Sequence, residues 1–249
     1  MKRILIFGDS WSVVPADMPR PDSKNTYAQQ RSNWMDFQIM QRGHYVYNIG
    51  RCAESNANSI GYAEQILQGF AYQNLPIDLI VWYHTESMRD FTNKFNLRAD
   101  DRRAKSELDL IKRIGMDAFI DNLAEISYNR VTKLKSLYPS TQWVIIGGHA
   151  PIRASKKHLL DWADVLIENW RSEITGVDCP DCQCYTLIRF HGFEFLLDSL
   201  TKEIVEREMA YANTITEACR NPDLFYDGVH PAGQPNQQIT KLLIEKFNL

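Results

Sequence analysis

Ile4-Leu5-Ile6-Phe7-Gly8-Asp9-Ser10 is an apolar run that stops at a glycine and is followed at once by two polar residues. A continuous apolar run of this length is typical of a strand that is covered on both faces, as in a parallel sheet. In such sheets, the loops at the carboxyl ends of the strands form the functional crevice. The stretch therefore predicts a buried first strand that leads directly into a functional loop.

Similar runs recur along the chain and alternate with longer helical patterns. The predicted strands are Arg3 to Phe7, Tyr45 to Asn48, Leu79 to Tyr83, Trp143 to Ile146 and Tyr185 to Phe190. The predicted helices cover residues 26–41, 56–71, 116–137, 157–170, 194–219 and 234–247. Strands that alternate with helices are typical of βαβ units. We therefore expect an α/β fold with a parallel sheet of about five strands.

The chain shows no internal repeat and no low-complexity linker, so we expect one domain over residues 1–249. Residues 91–113 are rich in charged side chains and follow the third predicted strand. We expect this insertion to form a solvated helix or a flap, with a docking surface as the alternative.

Composition and charge argue against several classes of protein. The 28 basic against 31 acidic side chains provide no basic field for nucleic acid. The first apolar run has four residues, whereas a secretory signal needs about seven to fifteen and a membrane span about 20. Five cysteines are an odd count for a disulfide framework. We therefore expect a cytoplasmic protein without a membrane span, whose oligomeric state stays open.

A serine, an aspartate and a histidine stand at positions where a hydrolytic site can form. Ser10 follows the first strand, and Asp227 and His230 precede the last predicted helix. A serine hydroxyl becomes nucleophilic when an imidazole takes its proton, and a carboxylate orients that imidazole. The backbone N–H groups of Ser10 and Gly50 are candidate donors to the oxyanion. In the alternative interpretation, Ser10 is only the N-cap of a helix.

Three blocks of the sequence resemble the SGNH/GDSL hydrolase family. They are Ile4 to Ser10, Asn48-Ile49-Gly50 and Asp227-Gly228-Val229-His230-Pro231, so the resemblance runs from about residue 3 to residue 247. It implies a flavodoxin-like three-layer α/β/α sandwich that hydrolyses carboxylic esters, such as short-chain acyl esters or O-acetylated carbohydrates. It also implies roles for Ser10 as nucleophile, His230 as base, Asp227 as orienting carboxylate and Gly50 in the oxyanion hole. It implies no metal and no organic cofactor.

The third block departs from the family pattern. The family has Gly-x-Asn-Asp where this chain has His84-Thr85-Glu86-Ser87, so Glu86 replaces an oxyanion asparagine. Loss of one oxyanion donor costs about 100- to 1,000-fold in rate. We expect either a Glu86 that burial keeps protonated, or a Glu86 that turns away and pairs with Arg51 or Arg89. The second case requires another donor, for which the candidates are Asn56, Asn58 and His149.

Three residues near the predicted crevice have two interpretations each. His84 and His149 either bind substrate or are hydrogen-bonded structural histidines. Trp11 directly follows the predicted nucleophile, and it either lines an acyl or sugar pocket or packs against the second helix.

A cysteine cluster is the second chemical signal. Cys179 and Cys182 form a Cys-x-x-Cys pair, which is half of a common zinc-binding motif. Cys184, His191 or Cys219 could complete a tetrahedral set of ligands. A second Cys-x-x-Cys or a His-x-x-x-His is missing from the sequence, so we favour free thiols and predict no metal site.

Two other functions are compatible with the same residues. One is a non-catalytic binding module, for which Glu86 is the motivating feature. The other is a flavodoxin-like nucleotide binder, but the loop after the first strand lacks the Gly- and Thr-rich phosphate cradle of such sites. The favoured partner is a small-molecule or carbohydrate ester.

Overall fold

The computed structural model of the protein describes residues 1–9, 11–12, 34–51, 54–95, 102–177 and 230–249, together with residues 213, 217, 220, 221, 224 and 225. All structural statements below concern these residues.

Five parallel strands form the central sheet. Their bounds are β1 Arg3–Gly8, β2 Tyr45–Asn48, β3 Leu79–His84, β4 Gln142–Gly147 and β5 Val165–Ile167. The strand order is β2-β1-β3-β4-β5, and every neighbouring pair is parallel. The expected α/β fold with a flavodoxin-like parallel sheet is therefore confirmed, and the first four strands lie where the apolar runs predict them.

Helices flank the sheet on both faces. Their bounds are α1 Met35–Gln41, α2 Asn56–Tyr72, α3 Met88–Phe95, α4 Arg102–Ile114, α5 Met116–Leu137, α6 Trp170–Thr175 and α7 Gly233–Phe247, with a 3-10 helix at Ala154–Leu160. The predictions at 56–71, 116–137 and 234–247 agree with α2, α5 and α7. Residues 26–33 and most of 194–219 lie outside the described part of the chain.

Alternate residues of each strand belong to two separate cores. Ile4 and Ile6 of β1 pack in one core with α1 and α7. Leu5 and Phe7 pack in the other core with α2, α5 and the 3-10 helix. Successive strand side chains point to opposite faces, so a strand with helices on both sides needs an uninterrupted apolar run. This arrangement is the three-layer α/β/α sandwich that the sequence predicts.

The prediction of a helix at 157–170 is wrong. This segment contains the end of the 3-10 helix, then strand β5, and then the start of α6. The triplet Val165–Ile167 pairs with Val144–Ile146 of β4. A short apolar run inside an amphipathic pattern does not distinguish strand from helix, and pairing with a neighbouring strand decides the outcome here. The strand predicted at Tyr185 to Phe190 lies outside the described residues.

The charged segment 91–113 includes the end of α3 and most of α4. Phe91 is buried and lies with its ring centroid 5.8 Å from that of Phe119 on α5. Ile111 is also buried, whereas Lys112 and Arg113 are exposed. The insertion thus contains a helix with solvated residues, as one of the interpretations expects, while Phe91 and Ile111 are buried.

The order in which strands join the sheet reverses between β1 and β3. The chain adds β2 on one side of β1 and then adds β3 on the other side. Crevices outside the carboxyl ends of the strands at such a point are the usual ligand sites of open α/β sheets. Within the described ranges, no helix combines the length and the apolar character needed to cross a bilayer.

Candidate functional site

Gly8 ends β1 where the chain enters the crevice. Its backbone φ of 139° is one that residues with a side chain rarely adopt, and a Cβ there would lie 2.3 Å from the carbonyl oxygen of Tyr83 on β3. Glycine tolerates both the positive φ and the close approach of β3. The end of β1 therefore lies in close contact with β3, and the polar residues follow from that point.

A tight turn follows and is held by Asp9. The Asp9 carbonyl accepts hydrogen bonds from the Ser12 N–H at 3.0 Å and the Ser12 hydroxyl at 2.7 Å. The Asp9 Oδ1 accepts from the Trp11 N–H at 3.0 Å. Asp9 and Trp11 are completely buried. The residues on both sides of position 10 are thus fixed by bonds to Asp9, while Ser10 itself lies outside the described residues.

The loop after β2 joins the same turn through Asn48. Its Nδ2 donates to the Ser12 carbonyl at 2.6 Å, and its Oδ1 accepts from the Gly50 N–H at 3.1 Å. The Arg51 N–H donates to the Gly8 carbonyl at 3.2 Å. Gly50 therefore lies beside the end of β1, as the sequence predicts, but its N–H already has a partner in Asn48.

The loop after β3 is clamped by Asn56. The Asn56 Nδ2 donates to the Thr85 carbonyl at 2.8 Å, and its Oδ1 accepts from the Thr85 N–H at 3.0 Å. Asn56 therefore holds this loop through both ends of its amide. Asn58, the second candidate, donates to Glu54 at the surface.

Glu86 is buried and pairs with Arg89, one of the two partners considered. The Arg89 Nε donates to Glu86 Oε2 at 3.1 Å, and the Arg89 Nη1 donates to Asp9 Oδ2 at 3.2 Å. Arg51, the other candidate, instead lies over the ring of Tyr62 at 4.1 Å. Glu86 accepts hydrogen bonds here, and a single guanidinium joins it to the turn after β1.

His149 and Arg171 extend this set of charges. His149 Nε2 lies 3.7 Å from Glu86 Oε1, and Arg171 Nη2 lies 3.3 Å from His149 Nδ1. A guanidinium can only donate, so Nδ1 accepts and the proton of the neutral imidazole is on Nε2, facing Glu86. We call Asp9, Arg89, Glu86, His149 and Arg171 the buried charge network; each is at most 6% exposed. Its two carboxylates and two guanidiniums balance in charge.

His84 is a structural histidine, the second of its two interpretations. It is completely buried, with Nδ1 3.4 Å from the Ala150 carbonyl and Nε2 3.4 Å from the Tyr128 hydroxyl. That hydroxyl accepts from the Arg153 N–H at 2.8 Å. Burial lowers the pKa of His84 from 6.5 to about 4, which the hydrogen bond to Ala150 only partly opposes. The ring is therefore neutral at physiological pH.

Asp90 supports the same loop from α3. Its Oδ1 accepts from the Ala57 N–H at 2.7 Å, and its Oδ2 accepts from the Ser127 hydroxyl at 3.1 Å. These bonds connect α3 with the start of α2 and with α5. Burial raises the pKa of Asp90 to about 6, although the hydrogen bonds act in the opposite direction.

Trp11 packs inside the protein, but not against α2 as the packing interpretation expects. Its ring centroid lies 5.7 Å from that of Trp170, 6.0 Å from that of Phe225 and 6.1 Å from that of His149. Arg171 covers it at 5.0 Å. A residue with no exposed surface cannot form the wall of an open pocket.

Phe225 lies two residues before the block Asp227 to Pro231, which contains His230. Phe225 forms an antiparallel bridge with Pro231, and the Ala232 N–H donates to the Leu224 carbonyl at 2.7 Å. His230 lies directly before this bridge and precedes α7. The residues that flank Asp227 and His230 are thus brought to Trp11, the neighbour of Ser10.

Some predicted residues cannot be placed. Ser10, Asp227 and the proposed zinc ligands Cys179, Cys182, Cys184, His191 and Cys219 lie outside the described residues. Among the residues that are described, no group of three or more His, Cys, Asp or Glu side chains could hold a metal ion.

Arg171 is the site residue that the sequence interpretation does not identify. It follows β5 by a few residues, directly after the segment 157–170 that is predicted as a helix. In the sequence, Arg171 is marked only by its position after the apolar triplet Val165–Ile167. That position indicates a site residue only when the triplet is recognised as a strand. Arg89 is recognised as a partner of Glu86, but its bond to Asp9 spans 80 residues of sequence.

A separate cleft of about 310 Å³ lies at the opposite edge of the sheet. Its lining includes Ile77 and Thr141, which precede β3 and β4, and Tyr138 at the end of α5. This cleft is at the amino ends of the strands, so it is not part of the candidate site.

Comparison with known proteins gives similarities of the whole chain at low identity. No protein-family model and no curated protein matches the chain. A proposed SGNH hydrolase from Slackia heliotrinireducens is 14% identical with a TM-score of 0.40, over 99% of this chain and 98% of the other. A carbohydrate acetylesterase from Sinorhizobium meliloti is 17% identical with a TM-score of 0.39, over 100% and 99%. An aryl esterase from M. smegmatis is 18% identical with a TM-score of 0.38, over 100% and 99%.

Proposed function

We propose that this protein hydrolyses carboxylic esters by an SGNH-type mechanism, with Ser10 as nucleophile, His230 as base and Asp227 as the carboxylate that orients the base. The substrate class is a short-chain acyl ester or an O-acetylated carbohydrate. The proposal treats residues 1–249 as one domain and needs neither a metal nor an organic cofactor. The odd number of cysteines favours a reducing, cytoplasmic location.

The contact between Trp11 and Phe225 is the observation that carries this proposal. Trp11 follows Ser10 in the chain, Phe225 precedes Asp227 by two residues, and their ring centroids are 6.0 Å apart. The two blocks are more than 200 residues apart in sequence. A packed contact between their flanks is what a serine and its base require to be within hydrogen-bonding reach.

In the proposed reaction, Ser10 Oγ attacks the ester carbonyl carbon while His230 takes the hydroxyl proton. The bond to the alcohol oxygen then breaks, and the alcohol leaves with that proton. Water, deprotonated by His230, attacks the acyl-enzyme; the acid is released, and the Ser10 oxygen regains a proton. Each step balances without an added reagent.

The proposed oxyanion donors are the backbone N–H groups of Ser10 and Gly50. Gly50 N–H donates to Asn48 Oδ1 in the structure, so an oxyanion would have to share or replace this bond. The Nδ2 atoms of Asn56 and Asn58 donate to Thr85 and Glu54, and Glu86, at the position of the family's asparagine, accepts from Arg89. We therefore expect a slower enzyme than one with the asparagine donor, by about 100- to 1,000-fold.

Labelling with a fluorophosphonate tests the proposal, because this reagent reacts covalently with activated serines. We expect one adduct at Ser10 by mass spectrometry, lost in Ser10→Ala and in His230→Ala. Loss of either group should lower ester turnover by about a million-fold. Ser136→Ala is the matched control, since this exposed hydroxyl bonds only the Lys133 carbonyl. A folded wild-type protein that neither labels nor hydrolyses any acyl ester would contradict the proposal.

The second candidate, a non-catalytic binding module, is motivated by the charge of Glu86. That charge lies 3.1 Å from the Arg89 guanidinium, which opposes its repulsion of a developing oxyanion. Hydrolysis thus remains the favoured function. Binding of an ester without turnover, unaffected by Ser10→Ala, would instead support the binding module.

A further inference from the structure

The buried charge network connects the loop after β3 with the turn after β1. Arg89 is the connecting residue, because its Nη1 bonds Asp9 Oδ2 and its Nε bonds Glu86 Oε2. Asp9 uses its other carboxylate oxygen for the Trp11 N–H and its carbonyl for Ser12. Any displacement of the Asp9 carboxylate therefore moves the backbone on both sides of position 10.

Backbone bonds hold Glu86 in place in addition to its bond with the Arg89 side chain. The double hydrogen bond of Asn56 to Thr85 fixes the backbone immediately before it, and the Arg89 N–H donates to the Glu86 carbonyl at 3.1 Å. On its far side, the carboxylate faces His149 Nε2. Glu86 is thus a rigid anchor from which Arg89 reaches Asp9.

We propose that Arg89 is a positioning residue that aligns the turn carrying the nucleophile, and that Glu86, at the position of the family's oxyanion asparagine, serves as the anchor of Arg89. The inference rests on the proposed function of Ser10. Glu86 then contributes to the alignment of Ser10 and not to the binding of the oxyanion. A misplacement of about 1 Å in a reacting group costs about 100-fold in rate, which gives such a residue a measurable effect.

The double variant Glu86→Gln/Arg89→Gln is the central test. It removes one negative and one positive charge, so the net charge of the buried charge network is unchanged. Arg89→Lys is the second variant, because one ammonium keeps the charge but cannot reach both carboxylates as the guanidinium does. Arg130→Gln is the matched control: it removes a half-buried ion pair with Glu64, at 2.8 Å, and a bond to the Ala57 carbonyl, at 2.9 Å. Within the described residues, Arg130 bonds neither Asp9 nor Glu86.

Two measurements are made on each folded variant. The first compares kcat, KM and the rate of fluorophosphonate labelling at Ser10. We expect kcat and the labelling rate to fall by about 10- to 100-fold in the double variant, less in Arg89→Lys, with KM unchanged. Because a smaller folded fraction would also lower kcat at unchanged KM, both rates are expressed per mole of folded enzyme. Arg130→Gln should match wild type.

The second measurement is hydrogen exchange at the amides of Trp11 and Ser12, which requires no activity. We expect faster exchange at both amides in the double variant, with protection of β3 unchanged. Wild-type exchange and wild-type labelling in either folded variant would overturn the inference. If wild-type protein does not label at all, the proposed function fails, while exchange at Trp11 still shows whether Arg89 holds the turn.

Discussion

Replacing His84 by asparagine should remove an acid-induced loss of stability. Burial lowers the pKa of this imidazole from 6.5 to about 4, so the unfolded chain binds a proton at pH values where the folded protein does not. The contribution of the neutral His84 to the free energy of unfolding is complete above pH 6.5 and is lost as the pH falls toward 4. From these two values, wild type should lose about 2 kcal/mol of unfolding free energy between pH 8 and pH 5 relative to the variant.

Urea denaturation of both proteins at several pH values between 8 and 5 provides the assay. Asparagine retains a donor for the Ala150 carbonyl but does not titrate, so the comparison isolates the imidazole. The absolute stability of the variant should be lower because it loses ring contacts with Trp82 and Tyr128. His158→Asn, at an exposed position, is the control for the replacement of an imidazole by asparagine. Parallel profiles for wild type and His84→Asn would refute the reasoning.

Three further predictions concern Asp90, Glu86 and Gly8. Asp90, whose pKa is raised to about 6, should change the stability in the opposite direction to His84. The contribution of protonated Asp90 to the free energy of unfolding is present at low pH and is lost as the pH rises through 6. Relative to Asp90→Asn, wild type should therefore be about 2 kcal/mol less stable at pH 7.5 than at pH 4.5 by urea denaturation. Glu86→Gln leaves two buried guanidiniums against one carboxylate and should lower the unfolding free energy by about 3 kcal/mol; a faster, equally stable variant would instead show that the charge hinders catalysis. Gly8→Ala places a Cβ 2.3 Å from a backbone oxygen and should cost about 3 kcal/mol or more in a thermal melt, whereas Gly69→Ala on the open face of α2 should stabilise by about 0.5–1 kcal/mol.

The buried charge network alters the electrostatic effect of the Glu86 carboxylate. An isolated carboxylate 4 Å from an oxyanion would raise its energy by about 4 kcal/mol at an effective dielectric of about 20. In this protein the carboxylate contacts Arg89 at 3.1 Å, and that cation also reaches Asp9. A residue that is unfavourable when considered alone is therefore part of a balanced set.

Strands β1 to β4 could be predicted because each is an apolar run that ends at a polar or glycine residue. The long helices α2, α5 and α7 could be predicted because their apolar residues repeat at helical spacing. Strand β5 could not, because three apolar residues inside an amphipathic segment satisfy either period. Only its pairing with β4 separates the two possibilities.

For the candidate site, the sequence alone identifies Gly8, Gly50 and Glu86 by their places after strands. It also predicts the unusual third block, because a glutamate is visible where an asparagine is expected. It cannot show which cation meets Glu86, since Arg51 and Arg89 are both near in sequence or in predicted space. The three-dimensional packing decides this, placing Arg51 over Tyr62 and Arg89 inside the core.

The order of residues along the chain thus determined the layered fold, because local periodicity and strand ends depend on neighbours in sequence. Only the tertiary structure decided how the buried charges are paired. Asp9 and Arg89 are 80 residues apart, and Thr85 and Asn56 are 29 apart. The energy of a charge or an amide depends on the groups that surround it after folding, and no local pattern of the sequence contains those groups.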